Sequence, residues 1–395
     1  MLTLTRRLLL ALPMMLAAAG LAQAQDAPGV TENTIKIGIL APFSGPNASF
    51  GAAGYGVAAY YQHINKQGGV HGRQFEVILS DTACNEATGI AAARRLISQD
   101  EVFLINGGVC SGVCLAIRPI IEESGVPWVI STAANQNISE PVADNIFHAI
   151  QTSRDYADAM GRFAMSKPGT EKIGIIAHTN EWAKGYQDPL VQYLKDEHGI
   201  EQVTEVTMER GSNDATAQVL SLRQADLDFI VVILYEPELA VFLRDAKLHG
   251  LDVPKVGSLG ADFSNTQNRL GGKEPMQGFY MVHQYRGLLD SPVLADFREA
   301  ITENLPEGQS FTDFSFYGPG SAVAVVHVLE QIGPDLTREK FIEAMENLQN
   351  FDTGVLAGTM SFSPDDHQGV SDVNVIGYDE NGELSVFSAW GEKAK

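Results

Sequence analysis

Short apolar runs alternate with helix-length amphipathic stretches along most of this chain. Residues 35–40, 74–80, 102–106 and 127–130 read as strands, and residues 50–65, 86–98 and 113–123 between them read as helices. Repeated strand-then-helix units predict a parallel sheet covered by helices on both faces. Gly68 and Gly69 are expected to end the first helix by supplying left-handed backbone.

The series then restarts. Lys172-Ile173-Gly174-Ile175-Ile176-Ala177 nearly repeats Lys36-Ile37-Gly38-Ile39-Leu40-Ala41. Strands over 202–207, 229–234 and 255–258 follow, with helices over 215–225 and 237–249. Beyond Gly278 a strand at 279–284 leads into helical stretches 292–304, 316–332 and 338–348. Two last runs, 373–378 and 384–389, flank Asn381-Gly382, a hairpin signal. The expected fold is α/β: two similar doubly wound lobes joined by short crossings.

The N-terminal stretch changes where this molecule is expected to work. Arg6 and Arg7 precede an apolar run over 8–21, and Ala22-Gln23-Ala24 offers a small-x-small cleavage site, so residues 1–24 read as a signal peptide and the mature chain as a periplasmic product starting near Gln25. No Cys stands at the cleavage point, which argues against a lipid anchor. With 27 Lys and Arg against 49 Asp and Glu, the formal charge is −22. Phosphate backbones and anionic lipid would repel such a chain, which excludes nucleic-acid binding and stable membrane attachment. The three cysteines, Cys84, Cys110 and Cys114, suit one disulfide plus one buried free thiol. Cys110 and Cys114 lie one helical turn apart and would bridge poorly, which favours Cys84 with Cys110.

Five segments carry a family resemblance. They are Ile37-Gly38-Ile39-Leu40-Ala41-Pro42-Phe43-Ser44-Gly45-Pro46, Ile64-Asn65-Lys66-Gln67-Gly68-Gly69-Val70-His71-Gly72-Arg73, Asp81-Thr82-Ala83-Cys84, Gly108-Val109-Cys110-Ser111-Gly112 and Gly125-Val126-Pro127-Trp128-Val129-Ile130-Ser131. In this order they resemble the leucine/isoleucine/valine-binding family of periplasmic proteins, the type I receptors of branched-chain amino-acid-type ABC transporters. The resemblance implies three crossings, near 149–152, 283–286 and 354–362. It implies one lobe of residues 26–149 plus 284–356, another of 150–283 plus 357–391, and a ligand held between them by hinge closure. It further implies an inner-membrane ABC permease as partner, or a receptor if the closed clamp serves as a sensor. A monomer without cofactor is expected.

The residues themselves suggest how a ligand is held. Ser111 and Gly112 follow an apolar strand and open a helix, so their N–H groups are free donors at a positive helix end and suit a carboxylate. Ala133-Ala134-Asn135 forms a second such turn after a strand. By resemblance, Phe50 covers the ligand from the first lobe, and Trp182, Tyr235 and Glu236 close over it from the second. The blander readings are a helix cap for Ser111 and a core position for Phe50.

Two departures bear on the ligand. The family's amino-acid binders hold the ammonium with a small-Ala-Thr segment and an acid from the second lobe. Here Asn135 replaces the Thr, and Leu259 aligns with the acid. An unpaired buried ammonium costs several kcal/mol. Either Glu236 or Asp262 supplies the charge, or the ligand lacks an amine and is an aromatic or aliphatic carboxylate or an amide; the second reading is slightly favoured.

Enzymatic readings fare worse. Gly108-Val109-Cys110-Ser111-Gly112 has the outline of a nucleophile elbow, so a Cys-dependent amidase or hydrolase at Cys110 is the competing class, but none of the nine histidines sits in a recognisable partner motif. No His pair has ligand spacing and no Cys-x-x-Cys occurs, so no metal site is expected. Asp365-Asp366-His367 reads as a solvated turn.

Overall fold

A computed structural model describes residues 27–390, and the expected signal segment lies outside them. The first half of lobe 1 runs β1 (Thr34–Ala41), α1 (Ala52–Lys66), β2 (Gln74–Asp81), α2 (Glu86–Ser98), β3 (Leu104–Asn106), α3 (Ser111–Ser124), β4 (Trp128–Ile130) and β5 (Ile146–His148). Its strands pair in parallel in the order β2-β1-β3-β4-β5. From Ile37 onward β1 is buried on both faces, whereas β2 at the sheet edge buries only Phe75 and is otherwise half-buried or exposed. That contrast is why a continuous apolar run marks the one and a broken run the other.

Lobe 2 follows with α4 (Ser153–Met165), β6 (Ile173–Ala177), α5 (Glu181–His198), β7 (Thr204–Thr207), α6 (Thr216–Gln224), β8 (Phe229–Ile233), α7 (Glu236–Leu248), β9 (Lys255–Gly257), α8 (Phe263–Arg269) and β10 (Phe279–His283). Three helices, α9 (Ala295–Thr302), α10 (Pro319–Ile332) and α11 (Arg338–Glu346), return to lobe 1, where α9 and α10 pack on α1. The hairpin β11 (Val373–Tyr378) and β12 (Leu384–Trp390) completes the second sheet, β12-β11-β10-β9-β8-β6-β7, and only its last two strands are antiparallel. Gly382 takes the positive φ that its turn requires.

The core has three parts. One apolar cluster runs from the inner face of the first sheet through the hinge to the second, and each sheet carries another on its opposite face. Both sheets are therefore covered twice, as a doubly wound lobe demands. Polar caps set the helix starts: Asn85, Thr152, Asn180 and Thr337 each accept an N–H from the first turn of the helix that follows. Between Thr312 and α10, a 3-10 turn at Asp313–Phe316 lies against α1. Gly56 permits that approach, since a Cβ there would stand 1.8 Å from the Ser315 carbonyl oxygen.

The hinge differs from expectation at its third strand. Tyr285 pairs with Leu356, but residues 357–369 remain on lobe 1, where Gln368 bridges to His148 and the Gly369 N–H donates to the His148 carbonyl at 2.9 Å. The last crossing thus falls just after these residues instead of at 354–362, because Phe362 and His367 pack on Phe147 of β5. His367 is buried, with Nδ1 2.9 Å from the Ile146 carbonyl, so the solvated-turn reading does not hold for it. Buried amides knit the crossings: Gln151 Nε2 donates to the Asp372 carbonyl at 2.6 Å, and Tyr156 donates to Gln284 Oε1 at 3.0 Å. Asn374 Nδ2 donates to the Tyr285 carbonyl at 2.6 Å.

Candidate functional site

The C-terminal strand ends of both sheets face one another, which is where open α/β sheets place their ligands. Between them lies a cavity of about 50 Å3. Phe50, Ser111 and Ala134 line it from lobe 1, and Trp182, Tyr235 and Leu259 line it from lobe 2. These six sequence-predicted residues are brought together. Asn47, Thr132, Tyr186, Gly260, Phe314, Tyr317 and the Cys84–Cys110 bridge join them and were not foreseen as walls.

The walls are aromatic and continuous across the cleft. Trp182 stacks on Tyr235 with ring centroids 4.3 Å apart, Tyr235 meets Phe50 at 5.5 Å, and Phe50 meets Phe314 edge-on at 4.8 Å. Only glycine fits beneath the indole: a Cβ on Gly260 would lie 2.5 Å from the Trp182 ring. His178, at the end of β6, fixes the lid residue by accepting the Tyr235 N–H at Nε2 (3.1 Å) while its Nδ1 lies 2.7 Å from the Met208 carbonyl. The lobes also touch directly. Arg210 donates to Asn47 Oδ1 at 2.9 Å, Asn135 Nδ2 to the Glu181 carbonyl at 2.9 Å, and Tyr317 to the Ala261 carbonyl at 3.2 Å. These contacts hold the clamp closed.

The polar groups are few and pointed. Ser111 is the first residue of α3, whose N-cap is Cys110 with no side-chain cap bond, so Ser111 does not cap its own helix. Its hydroxyl is buried and has no hydrogen-bond partner among the described residues; the hydroxyl of buried Tyr186 meets the Trp182 side chain but no acceptor, and burial drives its pKa well above the ordinary phenol range. Beside an uncapped helix N-terminus, the O–H groups of Ser111 and Tyr186 are two donors without an acceptor. Among the described residues no acidic or basic side chain lines the cavity.

The other predicted residues have different places. Gly112 lies outside the lining, and the Ala133 N–H is already used on the Gly108 carbonyl at 2.8 Å. Asn135 caps a short 3-10 turn and bridges the lobes. Glu236 sits at the outer mouth, ion-paired with Arg269 at 2.7 Å, and Asp262 caps α8. Cys110 is disulfide-bonded to Cys84 with Cα atoms 5.6 Å apart, so the thiol a nucleophile elbow needs is spent; Cys114 is buried and its pKa raised by that burial. Asp81 organises the neighbouring loop. Burial works against its charge, but hydrogen bonds from Ser44 and from the N–H groups of Ala83 and Phe43 hold its carboxyl below the usual range.

Two doubly wound lobes closed over one aromatic cavity define a hinged binding protein. The chain belongs to the periplasmic binding protein family, whose pattern matches residues 34–383. It is similar to a leucine-, isoleucine-, valine-, threonine- and alanine-binding protein of Pseudomonas aeruginosa, 28% identical over 58% of this chain and 61% of that protein. It is also similar to a Leu/Ile/Val-binding protein homolog of Brucella melitensis, 24% identical over 83% of this chain and 87% of that one. Among solved structures, a branched-chain amino acid ABC transporter protein of Thermus thermophilus with bound valine superposes with a TM-score of 0.80 at 18% identity, covering 92% of this chain and 98% of that one. A solute-binding protein of Rhodopseudomonas palustris in complex with 3,4-dihydroxybenzoic acid superposes with a TM-score of 0.75 at 21% identity, covering 91% and 98%. These likenesses show the fold. Among the described residues no helix is long and apolar enough to cross a membrane.

Proposed function

We propose that this chain captures a small carboxylate without a free ammonium group, an aromatic or aliphatic acid, in the periplasm and presents it to an inner-membrane ABC permease. The observation that carries the reading is the cavity's polarity: the helix start at Ser111 and the hydroxyls of Ser111 and Tyr186 offer donors to an anion, while no acid lines the walls to balance an ammonium. Phe50, Trp182 and Tyr235 supply apolar faces for a ring or chain. The ligand binds to the parted lobes, hinge closure follows, and no bond in the ligand is broken. Acceptor-poor ligands are rejected because they leave the two hydroxyls unpaired in a closed site.

The names of the relatives favour a second reading, a branched-chain amino acid. Glu236 and Asp262 are the acids that reading needs, and both are engaged elsewhere. The two are separated by calorimetry on protein stripped of ligand by unfolding and refolding. The proposal expects heat with benzoate-type or branched aliphatic acids and none with leucine or valine; tight leucine binding with no response to the acids removes it.

A further inference from the structure

Tyr317 separates the aromatic cavity from a second interlobe cavity of about 280 Å3, lined by Asp262, His283, Asp290, Arg298 and Asp313. Asp262 belongs to lobe 2, at the start of α8, and Asp313 belongs to lobe 1, at the start of the 3-10 turn held on α1. Asp313 faces Asp262 across this cavity, close enough for the two carboxyls to share a hydrogen bond. Asp262 is 2% exposed; its Oδ1 takes the Asn265 N–H, and its Oδ2 meets no nitrogen or hydroxyl donor among the described residues. Two ionised carboxylates have no donor to share. The contact exists only with a proton in it.

The surroundings keep that proton in place. Glu236 on α7 and Asp290 after β10 add negative charge, and the Tyr317 hydroxyl is spent on the Ala261 carbonyl. His283 on β10 is held neutral, its pKa pushed down to about 4 by burial, and bonds the Gly287 carbonyl. The nearby guanidiniums are committed: Arg298 on α9 to the Leu289 carbonyl, Arg269 on α8 to Glu236. Burial first, then Asp262, then Glu236 and Asp290 drive the Asp313 carboxyl up to about 9.

We propose that Asp262 and Asp313 form a proton-operated latch between the lobes, in which closing the clamp takes up one proton and opening releases it. With the lobes parted, the Asp313 carboxyl faces water and ionises in the ordinary carboxylate range near pH 4. The closed form therefore binds one more proton between about pH 4 and 9, so its weight against the parted form falls about tenfold per pH unit across that window and levels off on either side.

The latch concerns the lobes and not the ligand's identity, so it is read on the ligand-stripped full chain. Small-angle scattering at fixed ionic strength from pH 5.5 to 8.5 is expected to show wild-type protein expanding as pH rises. Asp313→Asn, whose amide donates to Asp262 without titrating, should stay compact throughout, and Asp262→Asn should lose the pH response likewise. Circular dichroism confirms that both variants fold. Identical pH profiles for wild type and the two variants overturn the latch. So does compaction that follows added calcium at constant pH, which would put a metal ion where the proton is placed.

Discussion

Truncating Ser111 to Ala separates a binding hydroxyl from a structural one. In the unliganded clamp the Ser111 hydroxyl is buried and has no partner, a state that costs about 1–3 kcal/mol of desolvation. Removing it leaves a methyl group in an apolar wall, so the stripped protein should be unchanged or up to about 1 kcal/mol more stable in urea. With a carboxylate in place the same hydroxyl makes a charge-assisted bond worth about 1.5–3 kcal/mol, so Ser111→Ala should weaken the acid found by calorimetry about 10- to 150-fold. Stability and affinity thus move apart. A variant that loses about 1 kcal/mol of stability while keeping its affinity would refute the reasoning, because it would make Ser111 part of the scaffold.

Three further outcomes are expected. Replacing Cys84 and Cys110 by Ser opens a link that spans 26 positions, which by chain entropy should cost about 3.5 kcal/mol in urea denaturation; a loss below about 1 kcal/mol contradicts this. Leu259→Glu buries an unpaired carboxylate in the cavity wall, so affinity for simple acids should fall at least about 100-fold while leucine or valine begins to bind; calorimetry with both ligand sets reads the switch. His148 and His283 are fully buried, and burial pushes each pKa down to about 4, so between pH 6.5 and 4 the unfolded chain binds more protons than the native one. Stability is full above pH 6.5 and lost as pH falls through 4, by about 3 kcal/mol for each histidine, and His283→Asn should remove about one proton from the pH slope of urea unfolding.

The sheets were legible in the sequence because their central strands are buried on both faces and so read as unbroken apolar runs. β5 and α4 were not read: the one is three residues long, and the other fills much of its buried side with small residues (Ser153, Ala157, Ala159, Gly161 and Ala164), which makes its apolar stripe faint, although its Thr152-to-Asp155 capping box was a usable signal. The third hinge crossing was misplaced because residues 357–369 have no period to follow; their position comes from Phe362 and His367 packing on Phe147. Within the site, Phe50, Trp182 and Tyr235 follow from motif order. Phe314 and Tyr317 do not, since they precede a helix far along the chain, and only its return to α1 carries them to the cleft. Tyr186 lies one turn beyond Trp182 on α5 and could have been found by asking which residue shares that face.

The Cys84–Cys110 bridge fastens the loop after β2 to the turn that opens α3, with both sulfur-bearing residues in the cavity wall. Reduction of that bond would untie the two, leaving the loop and the helix start to hold their side of the cavity by packing and hydrogen bonds alone.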